Sequence, residues 1–508
     1  MALLADSFAT RRHTSVSAYQ RRGTRTTVLG FLALYGLTAL VTLGMLRGTP
    51  SPVTALWLVY LAGLVTCLVK PRYGLYLVVL FSLIGDWMMW PAYPFLKNFS
   101  SEESWFFLHN RLIVNPLETY LVSILIAWLA QDLARRRFSF RSGPIFGPLL
   151  VFVAFVSVML GYGLARGGNA NVALWEVRPI YHLALTFLLA ANLIRTRQHV
   201  NSLLWTLLVA IAIRGLVGVI YVATVLEGSL AGQERIGSHA MSIFFDSIFV
   251  MTIGAFLFRE HLQKRIWLVL LLPPIIFSFF ANQRRASFIA LALALLMIGL
   301  VLFVTKRQLF WRFVPLVLAL SVLYLGVFWN SSHPLGLGAR ALRSMIGTAD
   351  VRDIQSNQYR DLENTNVLYT IHQAPAGLGF GQKFYIITPL PDISFFVWWE
   401  YITHNAVLWL WMKGGIWTFV AGLTLMGMAL CVGAQAIRTL PDGVLRNSAL
   451  TFTLYLLMHF IYSYVDMAWE SPSMVYVGVA MGVLSVLPLI AAAPEPGRPR
   501  RWPWSPAM

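Results

Sequence analysis

Apolar stretches of about 18 residues or longer recur along nearly the whole chain, and they limit what it can fold into. A stretch of that length crosses the hydrocarbon core of a bilayer as a helix, with its backbone hydrogen bonds made internally. They fall at roughly 28–46, 53–69, 73–91, 114–131, 145–163, 179–194, 202–225, 243–258, 266–281, 286–304, 313–329, 405–433, 448–466 and 473–490. The expected fold is an all-α polytopic membrane protein of about 14 transmembrane helices, with one long extracytoplasmic loop before the last three spans. Composition agrees: 58% of the 508 residues are hydrophobic and 12% are charged, unlike any ordinary soluble domain.

Charge orients the spans. With the N-terminus inside, the inner segments are the N-terminal tail, "KPRY", "RRRFSFR", "RTRQ", "REHLQKR", "KRQLFWR", the Arg438–Arg446 turn and "RPRR". Together they hold 24 of the 39 Lys and Arg, and the alternation stays in phase from end to end. The expected divisions are a basic cytoplasmic N-terminus (1–27), eleven spans within 28–329, an extracytoplasmic loop (330–404), three spans within 405–490, and a Pro-rich, disordered cytoplasmic tail (491–508). Arg11, Arg12, Arg21, Arg22 and Arg25 look like the basic region of a signal, but the apolar run that follows lacks a small-residue cleavage site. An uncleaved first span is expected. The net charge of +18 does not imply nucleic acid, because the arginines are scattered between apolar runs and form no single basic face. Cys67 and Cys431 fall in apolar segments and read as reduced packing cysteines.

Three outer segments stand out: 92–113, 226–242 with "GQERIGSHAM", and 330–404. In the last, "SNQYRDLENTNVLYTIHQAP" predicts a helix with Tyr359, Leu362, Leu368 and Ile371 near one face, stopped by Pro375. The "GLGFGQ" that follows has neither the strand before it nor the clear helix after it that a dinucleotide fingerprint needs, and reads as a flexible turn. No repeat of solenoid period is present.

The outer face contains no HExxH, no Cys/His cluster, no carboxylate-rich first loop and no GxSxG elbow. This pattern points away from a metal or another cofactor. It does contain arginine and histidine: Arg235 in "QERIGSH", Arg284 and Arg285 in "FFANQRRASFIAL", Arg360 in the long loop, and His404 in "YITHNAVLWLWMKGG". A guanidinium binds phosphate oxygens bidentately and stays charged, whereas an imidazole exchanges a proton near neutrality. Several arginines and one histidine at a membrane surface suit a lipid pyrophosphate, which leaves as a stable anion, and an incoming hydroxyl that needs a base. Each residue also has a plainer role open to it. A lone arginine can anchor a headgroup, and His404 with Asn405 can cap a helix. Mid-span Arg214 can pair with an acid such as Asp246, His239 and His372 read as polar loop residues, and Trp398, Trp399 and Tyr401 read as an interfacial belt.

From about Arg235 to Trp417 the chain resembles the O-antigen ligase and O-antigen polymerase superfamily of bacterial envelope glycosyltransferases. The resemblance rests on "ERIGSHA", "QRRASFIALALALL", "YRDLENTNVLYTIHQAPAGLGFGQKF" and "THNAVLWLWMKGGIW", in that order, with the long outer loop among them. It implies a catalytic loop histidine at His404, supported by Asn405, a catalytic, pyrophosphate-binding arginine at Arg285 with Arg284 as adjacent rival, and further pyrophosphate-binding arginines at Arg235 and Arg360. It also implies a multi-pass protein of the bacterial inner membrane, its active site extracytoplasmic. Such a protein would transfer glycan from an undecaprenyl-pyrophosphate donor to a glycan or lipid-linked acceptor, without metal and with inversion, beside membrane lipids and other polysaccharide export proteins. Two features depart from the family: fourteen spans against roughly twelve in the ligase, and Lys413 where an acid is common. They leave ligase, polymerase and exopolysaccharide enzyme open. A lipid-linked oligosaccharide flippase or other multi-pass transporter is the alternative, with Arg214 its best support, and an envelope scaffold is a third possibility.

Overall fold

The computed structural model describes residues 52–493 except 137–138, 231–232, 234, 332, 346–350 and 392–396. The expected span 28–46, the segment 1–27 and nearly all of 491–508 lie outside the described residues. The described elements are helices: α1 (Pro52–Val69), α2 (Pro71–Ile84), α3 (Pro116–Ala134), α4 (Phe146–Ala165), α5 (Ala170–Leu193), α6 (Arg197–Thr224), α7 (Met241–Leu257), α8 (Leu262–Ala281), α9 (Arg285–Thr305), α10 (Arg307–Phe328), α11 (Leu337–Met345), α12 (Val351–Gln373), α13 (Ala406–Thr439), α14 (Val444–Val465) and α15 (Ser471–Ala492). Ten of them, α3–α6, α8–α10 and α13–α15, are long and apolar enough to cross a membrane, and α1, α2 and α7 are shorter apolar helices. The architecture is that of a polytopic helical membrane protein. Each of these helices falls on an expected apolar stretch. The largest boundary difference is α5, which starts at Ala170, well before residue 179. Glu176 and Arg178 hide its first turns from an apolar reading, and Pro179 sits inside the helix, as neighbouring helices permit.

The described residues divide into two compact units, 52–78 with 92–136 and 79–91 with 139–493. In the first, α1 and α3 meet through aromatic rings. Tyr60 and Tyr120 stack at 5.4 Å, and the Tyr120 hydroxyl donates to the Tyr60 carbonyl at 2.7 Å. A reciprocal cap between Asn115 and Glu118 starts α3. Cys67 is buried here, whereas Cys431, in the second unit, is exposed and does not pack as expected.

In the second unit α15 is buried on nearly every side and lies against α5. Added Cβ atoms at Gly478 and Gly482 would stand 2.3 Å from the Leu183 carbonyl and 2.6 Å from the Phe187 carbonyl. Small residues let the two backbones touch, as membrane helix pairs require. By contrast α10 buries none of its residues. At one end of this unit Asp442 receives Lys306 at 2.6 Å and Arg446 at 2.7 Å. The opposite helix ends carry the cluster described next.

Candidate functional site

The first wall is the short segment before α7, which carries Arg235 and His239. Buried polar groups pin it. The Ser238 amide donates to Asp86 at 2.8 Å, and Arg214 pairs with Asp86 and donates to Ser238 Oγ at 2.8 Å and to the Leu83 carbonyl at 3.0 Å. Asn282 accepts the Gly237 amide at 3.0 Å, and the Tyr462 hydroxyl donates to the His239 carbonyl at 2.8 Å. Arg214 therefore has an acid partner, but it is Asp86 and not Asp246, which instead accepts from Ser287. Sequence distance hid this, because the two partners lie 128 residues apart. The Arg235 guanidinium lies over the Trp87 ring, 5.7 Å from its centroid.

Arg284 is the residue on which the α8–α9 turn closes, just after Gln283 at a φ of 50°. One of its nitrogens lies 3.3 Å from His239 Nε2 and another 3.7 Å from Asp466, which also pairs with His239 Nδ1. His239 is thus part of the cluster and not a plain loop residue. Burial brings its pKa down to about 4, against the pull of Asp466 and with the help of Arg284. Burial and then the charge of Arg284 lower the pKa of Arg235. Arg285 is the first residue of α9, half-buried beside Arg284. Glu470, at the start of α15, is raised to about 7 by burial and by Asp86, against Arg214.

The long loop supplies the second wall. Helix α12 forms as expected, but Leu368 is 50% exposed. Its buried face is Glu363, Asn366, Val367, Thr370 and Ile371. Asn366 accepts the amides of Ile387 and Thr388 at 3.0 and 2.9 Å, folding the following segment back along the helix. Glu363 accepts the backbone amide of His404 at 2.8 Å and meets its Nδ1 at 3.1 Å. Burial alone would lower the pKa of His404, but the Glu363 hydrogen bond and charge raise it above the ordinary value. Asn405 does cap α13, accepting from the Leu408 amide at 3.0 Å, so the two neighbours divide the tasks. Arg360 lies close enough for its charge to act on His404, and it donates to Ser356 at 2.8 Å.

"GLGFGQ" is neither a phosphate cradle nor a free turn. The amides of Leu378 and Gly379 donate to the Met412 and Lys413 carbonyls at 2.9 Å each, and the Gly381 amide donates to Glu176 at 2.6 Å. Gly377, Gly379 and Gly381 all have positive φ, and α13 breaks at Gly415 (φ 69°) to admit them. Fully buried Lys413 pairs with Glu176 at 2.9 Å and also donates to the Gln382 carbonyl. This ion pair fastens residues 377–382, the strap, to α5 and to the base of the segment that carries His404.

Of the residues singled out from sequence, Arg235, Arg284, Arg360 and His404 converge, Asn405 supports His404, and Arg285 stands beside Arg284. Glu363, His239 and Asp466 join them. In each of the three converging arginines one buried nitrogen has no hydrogen-bond partner: Arg235 Nη1, Arg284 Nε and Arg360 Nε. Buried donors without partners are costly; Arg141, Arg214 and Arg265 each carry one too, so what sets these three apart is that they gather in one place. Trp398 packs on Trp175 at 4.5 Å. No protein-family model and no curated protein matches the chain.

Proposed function

We propose that the protein is an extracytoplasmic glycosyltransferase of the O-antigen ligase or polymerase type. It transfers glycan from an undecaprenyl-pyrophosphate donor to an acceptor hydroxyl in the synthesis of O-antigen or exopolysaccharide. One observation carries the proposal. Three arginines from separate segments gather with a carboxylate-held histidine at one end of the helices, and each keeps a buried donor without a partner.

In this proposal the chain makes fourteen spans, counting 28–46, with both termini in the cytoplasm of a bacterium and the cluster on the outer side of its inner membrane. Arg284 and Arg235, with Arg285 and Arg360 nearby, meet the pyrophosphate and stabilise the charge that grows on it as the anomeric C–O bond breaks. Glu363 holds His404 by Nδ1, which leaves Nε2 to take the proton of the acceptor hydroxyl as that oxygen bonds to the anomeric carbon. Undecaprenyl pyrophosphate departs as the anion. The strap and α12 roof the site and limit water.

Arg214, the feature that favoured a transporter, pairs with Asp86 and donates to Ser238 and the Leu83 carbonyl. The test is to mix detergent-solubilised membranes with a lipid-linked repeat, a condition that permits no transport. Longer or transferred glycans that depend on His404 and the arginines support the enzyme, and their absence with the unaltered protein refutes it. Accumulation of single repeats in cells lacking the protein would mark a polymerase, and accumulation of finished polymer a ligase.

A further inference from the structure

Resting on the assignment of Arg284 to the diphosphate, we propose that His239 is a positioning residue. It is a neutral imidazole wedged between Asp466 and Arg284 that aims the guanidinium and keeps the carboxylate from taking up its hydrogen-bond donors.

The hydrogen-bond inventory fixes its state. A guanidinium has donors only, so the His239 Nε2 that lies 3.3 Å from Arg284 presents its lone pair. The ring proton is then on Nδ1, donated to Asp466. A ring pKa of about 4 agrees with that neutral form. The ring is held in place by the Tyr462 bond to its own carbonyl and by the pinned Gly237 and Ser238 before it.

The alternative arrangement shows what the imidazole prevents. A carboxylate and a guanidinium in direct contact join by parallel, charge-assisted bonds. Here Arg284 and Asp466 stay 3.7 Å apart, beyond hydrogen-bond length, because His239 occupies the same carboxylate oxygen. Arg284 is therefore held along one edge by a neutral acceptor, and its Nε remains unpartnered. Without the ring, Asp466 and Arg284 would close on each other, and the donors would turn from ligand to protein.

The test uses full-length protein in nanodiscs and farnesyl diphosphate as the probe, with binding measured directly. His239→Ala should weaken binding about tenfold or more, the loss of a hydrogen bond to a charged group. His239→Gln, which keeps an N–H for Asp466 and an oxygen for Arg284, should bind within about threefold of the unaltered protein. The deciding variant is His239→Ala with Asp466→Asn. Removing the rival carboxylate should restore most of the lost affinity, whereas a merely structural role would make the pair of changes worse than either alone. Binding by His239→Ala equal to the unaltered protein, or a double variant weaker than the single one, overturns the inference. Failure of the unaltered protein to bind, or binding indifferent to Arg284→Ala, overturns the assignment of Arg284 and the inference with it.

Discussion

Glu363→Gln is the most informative single change. The buried Glu363 carboxylate accepts two hydrogens from one residue, the His404 backbone amide at 2.8 Å and Nδ1 at 3.1 Å. A carboxylate can only accept, so it fixes the proton on Nδ1 and leaves Nε2 basic. The amide of glutamine can turn its NH2 towards Nδ1, which would move the ring proton to Nε2 and remove the base. Asn in place of the triad Asp of serine proteases costs about 10⁴ in rate for that reason, and general-base catalysis as a whole contributes about 10²–10⁴. The predicted loss of transfer is therefore about 10²–10⁴-fold, or about 3–5 kcal/mol in the barrier. The assay is glycan transfer from a lipid-linked repeat in proteoliposomes, with prenyl-diphosphate binding measured in parallel. Binding should be unchanged, and Glu363→Gln combined with His404→Ala should be no slower than His404→Ala alone. Transfer at the unaltered rate, or losses that multiply in the double variant, would refute the assignment of Glu363 and His404 as one unit.

Other outcomes follow from the same geometry. Arg284→Ala should leave folding intact and slow transfer by about 10²–10³, as loss of an oxyanion donor does; a larger loss in Arg285→Ala would move the assignment by one residue. Lys413→Ala leaves Glu176 charged and buried alone, so thermal unfolding in detergent should show a destabilisation of about 3–5 kcal/mol, and replacing both partners by Met should cost less; unchanged melting of Lys413→Ala would contradict this. The pKa of His404 is raised by Glu363, so the stability that pair provides is full below about pH 6.5 and is lost as pH rises through the raised value. Transfer needs the neutral ring, so its rate should climb with pH through that value, and residual transfer in Glu363→Gln should climb at lower pH. A pH profile identical in the two proteins would contradict the pairing.

Much of the fold could be read from the sequence because a bilayer imposes length and apolarity on each span. The exception is instructive: α5 hid its first turns behind Glu176 and Arg178, and Glu176 is tolerable because Lys413 and the Gly381 amide, both far along the chain, satisfy it. The cationic half of the candidate site was legible for the opposite reason, since Arg235, Arg284, Arg360 and His404 stand out in or between apolar segments. Their partners were not. Glu363 meets His404 across 41 residues and His239 meets Asp466 across 227, and no local spacing announces such pairs. The face of α12 was read in part: Ile371 is buried as expected and Leu368 is not, because the loop helix also turns Glu363, Asn366 and Thr370 inward to hold the loop together.

The most direct measurement mixes purified protein with an undecaprenyl-pyrophosphate-linked repeat and an acceptor in detergent, and follows both the new glycosidic bond and the released undecaprenyl pyrophosphate. The two should appear in equal amounts with the unaltered protein and vanish together in His404→Ala and Arg284→Ala. Release of undecaprenyl pyrophosphate that is absent from the unaltered protein, or that persists in both variants, would contradict the account.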